Sequence, residues 1–330
     1  MSVEPELTRH PHGITTVDAL YVRPGLAAIH VIERNGRAAI VDTGANASVP
    51  GLYWALEQLG IARTAVDLIF LTHVHLDHAG AAGLLAEGLP NARVSVHPRG
   101  VQHLVDPSRL AAATAAVYGA AAFEQLYGSL LPIASERIVP TRDLDRLQLG
   151  ESEFSVLHTP GHALHHQALF DPAGSLFFSG DTFGMAYRAL ASDRGAFIVP
   201  TTTPTQFDPE QLVASVRRLL ALGADAAYLT HYGRVTGLPV LAAALEEQIG
   251  QLVEIARRHQ RSTDRLDAIQ RELRALWIQR LRAHGAEPSE ALVDDWLSAD
   301  AYLNAQGLVA WLERSEKPRE DRGPIARPGA

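Results

Sequence analysis

The string Leu-Thr-His-Val-His-Leu-Asp-His-Ala-Gly at 71–80 constrains this chain more than any other segment. His73, His75, Asp77 and His78 fall within six consecutive positions, directly after the run Val-Asp-Leu-Ile-Phe-Leu at 66–71. An apolar, β-branched run of that kind reads as a buried strand. Imidazole is not a side chain that the end of such a strand gathers for packing. The 330-residue chain has no cysteine, so disulfides, thiolate metal ligands and cysteine nucleophiles are excluded. A metal ion held here has only histidine and carboxylate to hold it. Alternate residues of an extended chain point the same way, so His73 and His75 can grip one ion, while Asp77 and His78, past the turn, can face a second.

The surrounding sequence has an α/β rhythm. Segments 13–20, 26–33 and 37–44 read as strands, with Arg34-Asn35-Gly36 as a hairpin turn between the last two. Segment 48–60 reads as a helix closing at Gly60, 79–89 as a helix, and 92–98 as a strand. From about 100 to 140 an alanine-rich pattern interrupts the strands and reads as a helical insertion, expected either as a lid over the site or as ordinary packing on a sheet. Strands resume at 145–150, 152–159, 165–171 and 175–181, and again at 225–231 after the helix 209–223.

After Leu238 the strands stop. Segments 240–260 and 262–285 are amphipathic helices, the second with Leu266, Ile269, Leu273, Leu276 and Trp277 at three- and four-residue steps and Ser262 as its N-cap. Shorter helices are expected at 289–297 and 305–315, with Trp277, Trp296 and Trp311 exposed and packed against the rest of the region or a partner. The charged, Pro/Gly-rich stretch 316–330 reads as a mobile tail. The expected division is therefore 1–238, 239–315 and 316–330.

Three further strand ends carry ligand-type residues: Gly161-His162, Gly180-Asp181 and, within Tyr-Leu-Thr-His-Tyr-Gly, His231. A carboxylate between two cations lessens their repulsion, a role that suits Asp181. Together with the H-x-H-x-D-H loop, and in this chain order, these motifs resemble the metallo-β-lactamase superfamily over about residues 13–238. The resemblance implies an α/β fold, a four-layer αββα sandwich, here with a C-terminal helical extension. It implies two divalent metal ions, with His73, His75 and His162 on one, Asp77, His78 and His231 on the other, and Asp181 bridging. Asp42 matches a position that braces the metal loop from behind the ligands, and His166 matches the second histidine of the family's TPGHTPGH segment. His165 replaces a common glycine there.

Such a centre brings water to a hydroxide at neutral pH and polarises a substrate carbonyl, with Asp77 orienting the water and passing its proton to the leaving group. A hydrolase of thioesters, lactones or related small-molecule esters is the expected function. Zinc is the first choice of metal on this donor set, with iron or manganese also accepted by it. A di-iron protein that binds oxygen or oxidises sulfur is the alternative. Behind these come a β-lactamase, a phosphodiesterase and a non-catalytic binding protein. Tyr187, Arg188 and Tyr232 are candidate substrate contacts, and the arginines of 256–265 could meet an anionic substrate or simply line a solvated helix face. A formal charge of −8 without a basic block argues against nucleic acid. No apolar run is long enough for a membrane span, and the N-terminus lacks the pattern of a secretory signal, so a cytoplasmic location is expected. The C-terminal helices could cap the pocket or join two copies of the chain. His30 and His158 are expected to make core hydrogen bonds, and His10, His12, His97, His103, His259 and His284 to be solvated or structural.

Overall fold

Alternation along the strands decides the layers. The computed structural model describes residues 4–202, 205–286 and 289–316. One sheet has seven strands in sequence order: β1 (Leu7–His10), β2 (Ile14–Asp18), β3 (Ala28–Arg34), β4 (Arg37–Val41), β5 (Val66–Phe70), β6 (Arg93–Val96) and β7 (Ile138–Pro140). The other has six: β8 (Arg146–Leu149), β9 (Ser152–His158), β10 (Gln167–Asp171), β11 (Leu176–Gly180), β12 (Ala226–Leu229) and β13 (Gly233–Val235), again neighbouring in that order. Each sheet mixes antiparallel and parallel pairs; β4, β5, β6 and β7 run parallel, as do β11 and β12. The β3–β4 turn has Asn35 at φ 50° and Gly36 at φ 76°, the left-handed pair that a two-residue hairpin of matching twist requires.

Ile40 of β4 points one way, into a core with Leu52 and Leu56 of α1 (Val49–Gln58) and Leu85 of α3 (Ala82–Gly88). Its neighbours Ala39 and Val41 point the other way, where Phe154, Leu169 and Phe178 of the second sheet meet them. Phe177 in turn faces outward onto α7 (Pro209–Leu220) and α8 (Leu238–Arg258). Helices, sheet, sheet, helices: the αββα sandwich follows from a side-chain period of two on strands buried on both faces.

The short helix α2 (Leu76–Ala79) carries Asp77 and His78. The insertion is helical as α4 (Val101–Val105), α5 (Ser108–Tyr118) and α6 (Ala120–Leu126), but only up to residue 126. Its end is instead strand β7, where Ile138 is buried against the first sheet. Leu76 packs with Ala45 and Tyr127, with Leu110 and Phe123 against them, so the insertion lies directly on the helix that bears Asp77. The hydroxyls of Tyr21 and Tyr127 meet at 2.6 Å.

Beyond α8 come α9 (Arg265–Ala283) and α10 (Glu290–Glu316). Three expectations are corrected here. The stretches 289–297 and 305–315 are one continuous helix, not two. Ser262 does not cap α9; the residue before its first turn is Asp264. Trp277 is fully buried, and Trp296 and Trp311 are partly buried within the protein's own core. Of the expected tail, Glu316 ends α10 and 317–330 lie outside the described residues. Strands β1 and β13 were not anticipated. No helix among the described residues is long and apolar enough to cross a membrane.

Candidate metal centre

Five strand ends from both sheets open at one edge of the sandwich. β4 leads into Asp42, β5 into Thr72 and His73, β9 into the turn before His162, β11 into Asp181 and β12 into Thr230 and His231. Two glycines are there because nothing larger fits. Gly161 has φ 131°, and a Cβ would stand 2.2 Å from the Leu212 amide nitrogen; Gly180 has φ 48°, and a Cβ would meet Thr72 and His166 within 2.7 Å. Asp181 is thereby drawn in against the first motif.

The seven expected ligands come together. His73 Nε2 and His75 Nδ1 are 2.9 Å apart, and His162 Nε2 is 3.0 Å from the same His75 nitrogen. Across the centre His231 Nε2 lies 3.2 Å from Asp77 Oδ2, and His78 Nε2 lies 3.6 Å from it. Asp181 stands between the two sets: Oδ2 is 3.4 Å from His162 Nε2, while Oδ1 is 3.1 Å from His78 Nε2 and 3.7 Å from His231 Nε2. Ligand atoms of His73, His75 and His162, of His73, His78 and Asp181, and of Asp77, His78 and His231 each lie within 4.8 Å of one another.

The donor set fits a cation. Burial, then the neighbouring imidazoles, push His73 well below its ordinary pKa, and burial with His162 pushes His75 down to about 3. Burial likewise lowers His162. That half of the centre therefore offers neutral imidazole lone pairs aimed at each other, as metal ligation requires. In the other half burial also opposes charge on His78 and His231, but the carboxylates outweigh it. Asp181 and Asp77 raise His231 to about 9, and with Asp42 they raise His78 well above its usual value. His78 Nε2 and Asp181 Oδ1 face each other with no other hydrogen-bond partner. A cation answers both the neutral lone pairs of the one half and the carboxylates of the other.

Behind the ligands, Asp42 accepts hydrogen bonds from the Thr72 amide (2.8 Å), the Thr72 and Thr230 hydroxyls (2.9 and 2.7 Å) and His78 Nδ1 (2.7 Å). His166 Nε2 accepts from the Asp181 amide (3.1 Å), and its Nδ1 meets the hydroxyls of Thr159 and Thr182 (2.8 and 3.1 Å). His165 is buried, parallel to His73 and edge-on to His75 at centroid distances of 6.1 and 5.6 Å. Thr72 and Thr230 went unremarked in the sequence, although both sit in the same Leu-Thr-His string, at 71–73 and 229–231.

The three candidate substrate contacts fare differently. Arg188 turns away to Glu6 (2.5 Å) and Thr8 (3.1 Å), and its guanidinium lies over the Tyr232 ring at 4.4 Å. Tyr232 is buried and hydrogen-bonded to Asp18. Both brace the N-terminal strands rather than the centre. Tyr187 does stand beside it, its ring 6.5 Å from His231, with its hydroxyl donating to Met185 Sδ at 3.5 Å. Burial, then Asp300, hold that hydroxyl well above its ordinary pKa.

A family model described as "Metallo-beta-lactamase superfamily" matches residues 22–231. The metallo-beta-lactamase fold-containing protein ST1585 of Sulfurisphaera tokodaii is 25% identical over 236 residues, 70% of this chain and 80% of that protein. Its crystal structure superposes with a TM-score of 0.64 at 20% identity, covering 91% of this chain and 99% of that one, which shows a common fold. Hydroxyacylglutathione hydrolase of Pseudomonas aeruginosa is 36% identical over 123 residues, 35% of this chain and 42% of that protein. A structure of TTHA1623 in a di-iron-bound form is 25% identical, with a TM-score of 0.50 over 74% of this chain and 98% of that one.

Proposed function

The chain belongs to the metallo-beta-lactamase superfamily, and from that premise we propose that it is a dinuclear metal-dependent hydrolase of ester-type carbonyls: thioesters, lactones or related small-molecule esters. The observation that carries this reading is Asp181, whose two carboxylate oxygens face two different sets of imidazoles. His73, His75 and His162 would hold one ion, Asp77, His78 and His231 the other, and Asp181 both. Divalent cations bound there supply Lewis acidity and lower the pKa of water toward neutrality.

The chain's own residues do the rest. Asp77 is the more open carboxylate, its side chain 23% exposed against 5% for Asp181. Held ionised by His78 and His231 against its burial, it takes a proton from the attacking water and delivers it to the leaving group. Asp42 and His166 keep the ligand loops in place during that exchange. The likeness to hydroxyacylglutathione hydrolase supports a thioester-type substrate. Zinc suits the nitrogen and carboxylate donors and is the proposed metal.

The test is metal analysis of the purified chain together with turnover of aryl esters, thioesters, lactones and bis-aryl phosphates, with and without chelator. Chelator-sensitive turnover of an ester-type substrate is expected, and restoration on adding zinc. Less than near-stoichiometric transition metal, or turnover of phosphates alone, counts against the proposal. Bound iron with an oxygen-dependent visible spectrum would replace hydrolysis with redox chemistry at the same centre; the di-iron-bound form of TTHA1623 is a precedent for the metal pair alone.

A further inference from the structure

His165 is outside the ligand set, yet it is only 7% exposed. A buried imidazole is costly unless its polar atoms find partners, so its contacts point to its use. β5 ends at Phe70 and α2 begins at Leu76, and residues 71–75 cross the gap in irregular backbone. Amides there find acceptors one at a time. Leu71 donates to the Ser95 carbonyl at 3.0 Å, Thr72 to Asp42 at 2.8 Å and Val74 to His165 Nδ1 at 3.5 Å. Val74 is fully buried and lies between the ligands His73 and His75. The bond is long, but without it a buried N–H between two ligands is left with no acceptor among the described residues.

The same ring lies parallel to His73, at 13° and 6.1 Å between centroids, and edge-on to His75 at 5.6 Å. His165 itself belongs to the turn 159–166, which the Thr159 amide closes on the His166 carbonyl at 3.0 Å. The Leu164 amide, donating to Gln206 Oε1 at 2.8 Å, steadies that turn from outside. His162 stands in it. One imidazole therefore joins the loop of His73 and His75 to the turn of His162, the two segments that make up the three-imidazole set. Asp42, by contrast, reaches the other set, through His78 Nδ1 at 2.7 Å and through the Thr230 hydroxyl, beside His231, at 2.7 Å.

We propose that His165 is a positioning residue for one ion of the pair: its Nδ1 pins the Val74 amide and so clamps the segments that carry His73, His75 and His162 against each other. The inference rests on the metal-centre reading above and divides its support between two braces, one for each half. Loss of a group that orients ligands from behind lowers metal affinity by about 10–100-fold.

The experiment compares wild type with His165→Leu, which fills space and accepts nothing, and His165→Asn, whose Oδ1 takes the place of Nδ1. Zinc affinities come from competition with a chromogenic chelator. In His165→Leu one of two ions is expected to bind about 10–100-fold more weakly, and in His165→Asn both within about threefold of wild type. Proton NMR of the cobalt-loaded chain identifies the ion: His165→Leu should lose the shifted ring N–H signals of three histidines and keep those of His78 and His231. Unchanged affinity in His165→Leu, equal weakening of both ions, or an Asn variant as damaged as the Leu variant overturns the assignment. Amide exchange at Val74 in the metal-free chain separates the two readings. Exchange slow in wild type and His165→Asn but at least about tenfold faster in His165→Leu, with no metal bound by any of them, retains the clamp and discards the metal centre. Two ions bound alike by all three, with equal exchange at Val74, retains the metal centre and discards the clamp.

Discussion

Asp42 sits at φ 58°, a conformation that costs a non-glycine residue about 1–2 kcal/mol. It persists because four buried donors converge on its carboxylate, drawn from the ends of β5 and β12 and from α2. Asp42→Ala strands those donors, at about 1–3 kcal/mol for each that stays buried, and frees the His78 ring to turn. The expected outcome is a fall of roughly 10–100-fold in metal affinity, measured by competition with a chromogenic chelator; unchanged affinity would remove Asp42 from the account. At this scale the sequence was legible where ligand residues crowd into short strings. Asp42 and His166 were legible only by resemblance. Thr72 and Thr230 were not legible, since a threonine between leucine and histidine reads as ordinary strand. Arg188 and Tyr232 misled for the opposite reason: nearness in sequence to Asp181 and His231 says nothing about the direction of a side chain.

β3 shows what an element must do between two sheets. Ile29 and Val31 face the helices, while His30 faces inward, edge-on to Tyr228 at 5.4 Å and near Phe178 at 5.6 Å. Its Nδ1 meets the Thr16 hydroxyl and its Nε2 the Leu229 carbonyl, tying β3 to β12 across the sandwich. Burial lowers its pKa from about 6.5 to about 4, so the fold accepts only the neutral ring. The stability that follows is complete above pH 6.5 and is lost as pH falls to about 4, by about 3 kcal/mol in all. His30→Gln should therefore be less stable than wild type at pH 7, with the gap narrowing as pH falls from 6.5 to 4 in urea titrations. A gap constant across that range would sink the argument. His30 and the main strands were readable because their periods are regular. β1 and β13 are four and three residues long, too short for periodicity to mark. The single helix α10 was read as two, 289–297 and 305–315, with 298–304 left between them. In fact Asn304, in that gap, is buried, and its Oδ1 accepts from the Thr202 hydroxyl at 2.7 Å, a tertiary contact that no local pattern encodes.

In the whole molecule the helical extension is continuous with the sandwich. Leu308 and Leu312 of α10, Leu273 of α9 and Leu252 of α8 share one core with Phe207 and with Leu212 of α7. Leu308→Ala should cost about 2–5 kcal/mol and shift one common unfolding transition, followed both by tryptophan fluorescence and by far-UV circular dichroism. Two separated transitions would mean that the extension folds as an independent unit. The sandwich was legible from strand rhythm and motif order, whereas the seam with the extension depends on pairings between distant segments. That seam sets Trp296 of α10 against Tyr187 at 5.3 Å, and Tyr187 stands 6.5 Å from His231, so the last helix forms part of the wall beside the ligand cage. A chain that kept the five strand-end loops and exchanged only its last helix would keep the ligand cage and rebuild one wall beside it.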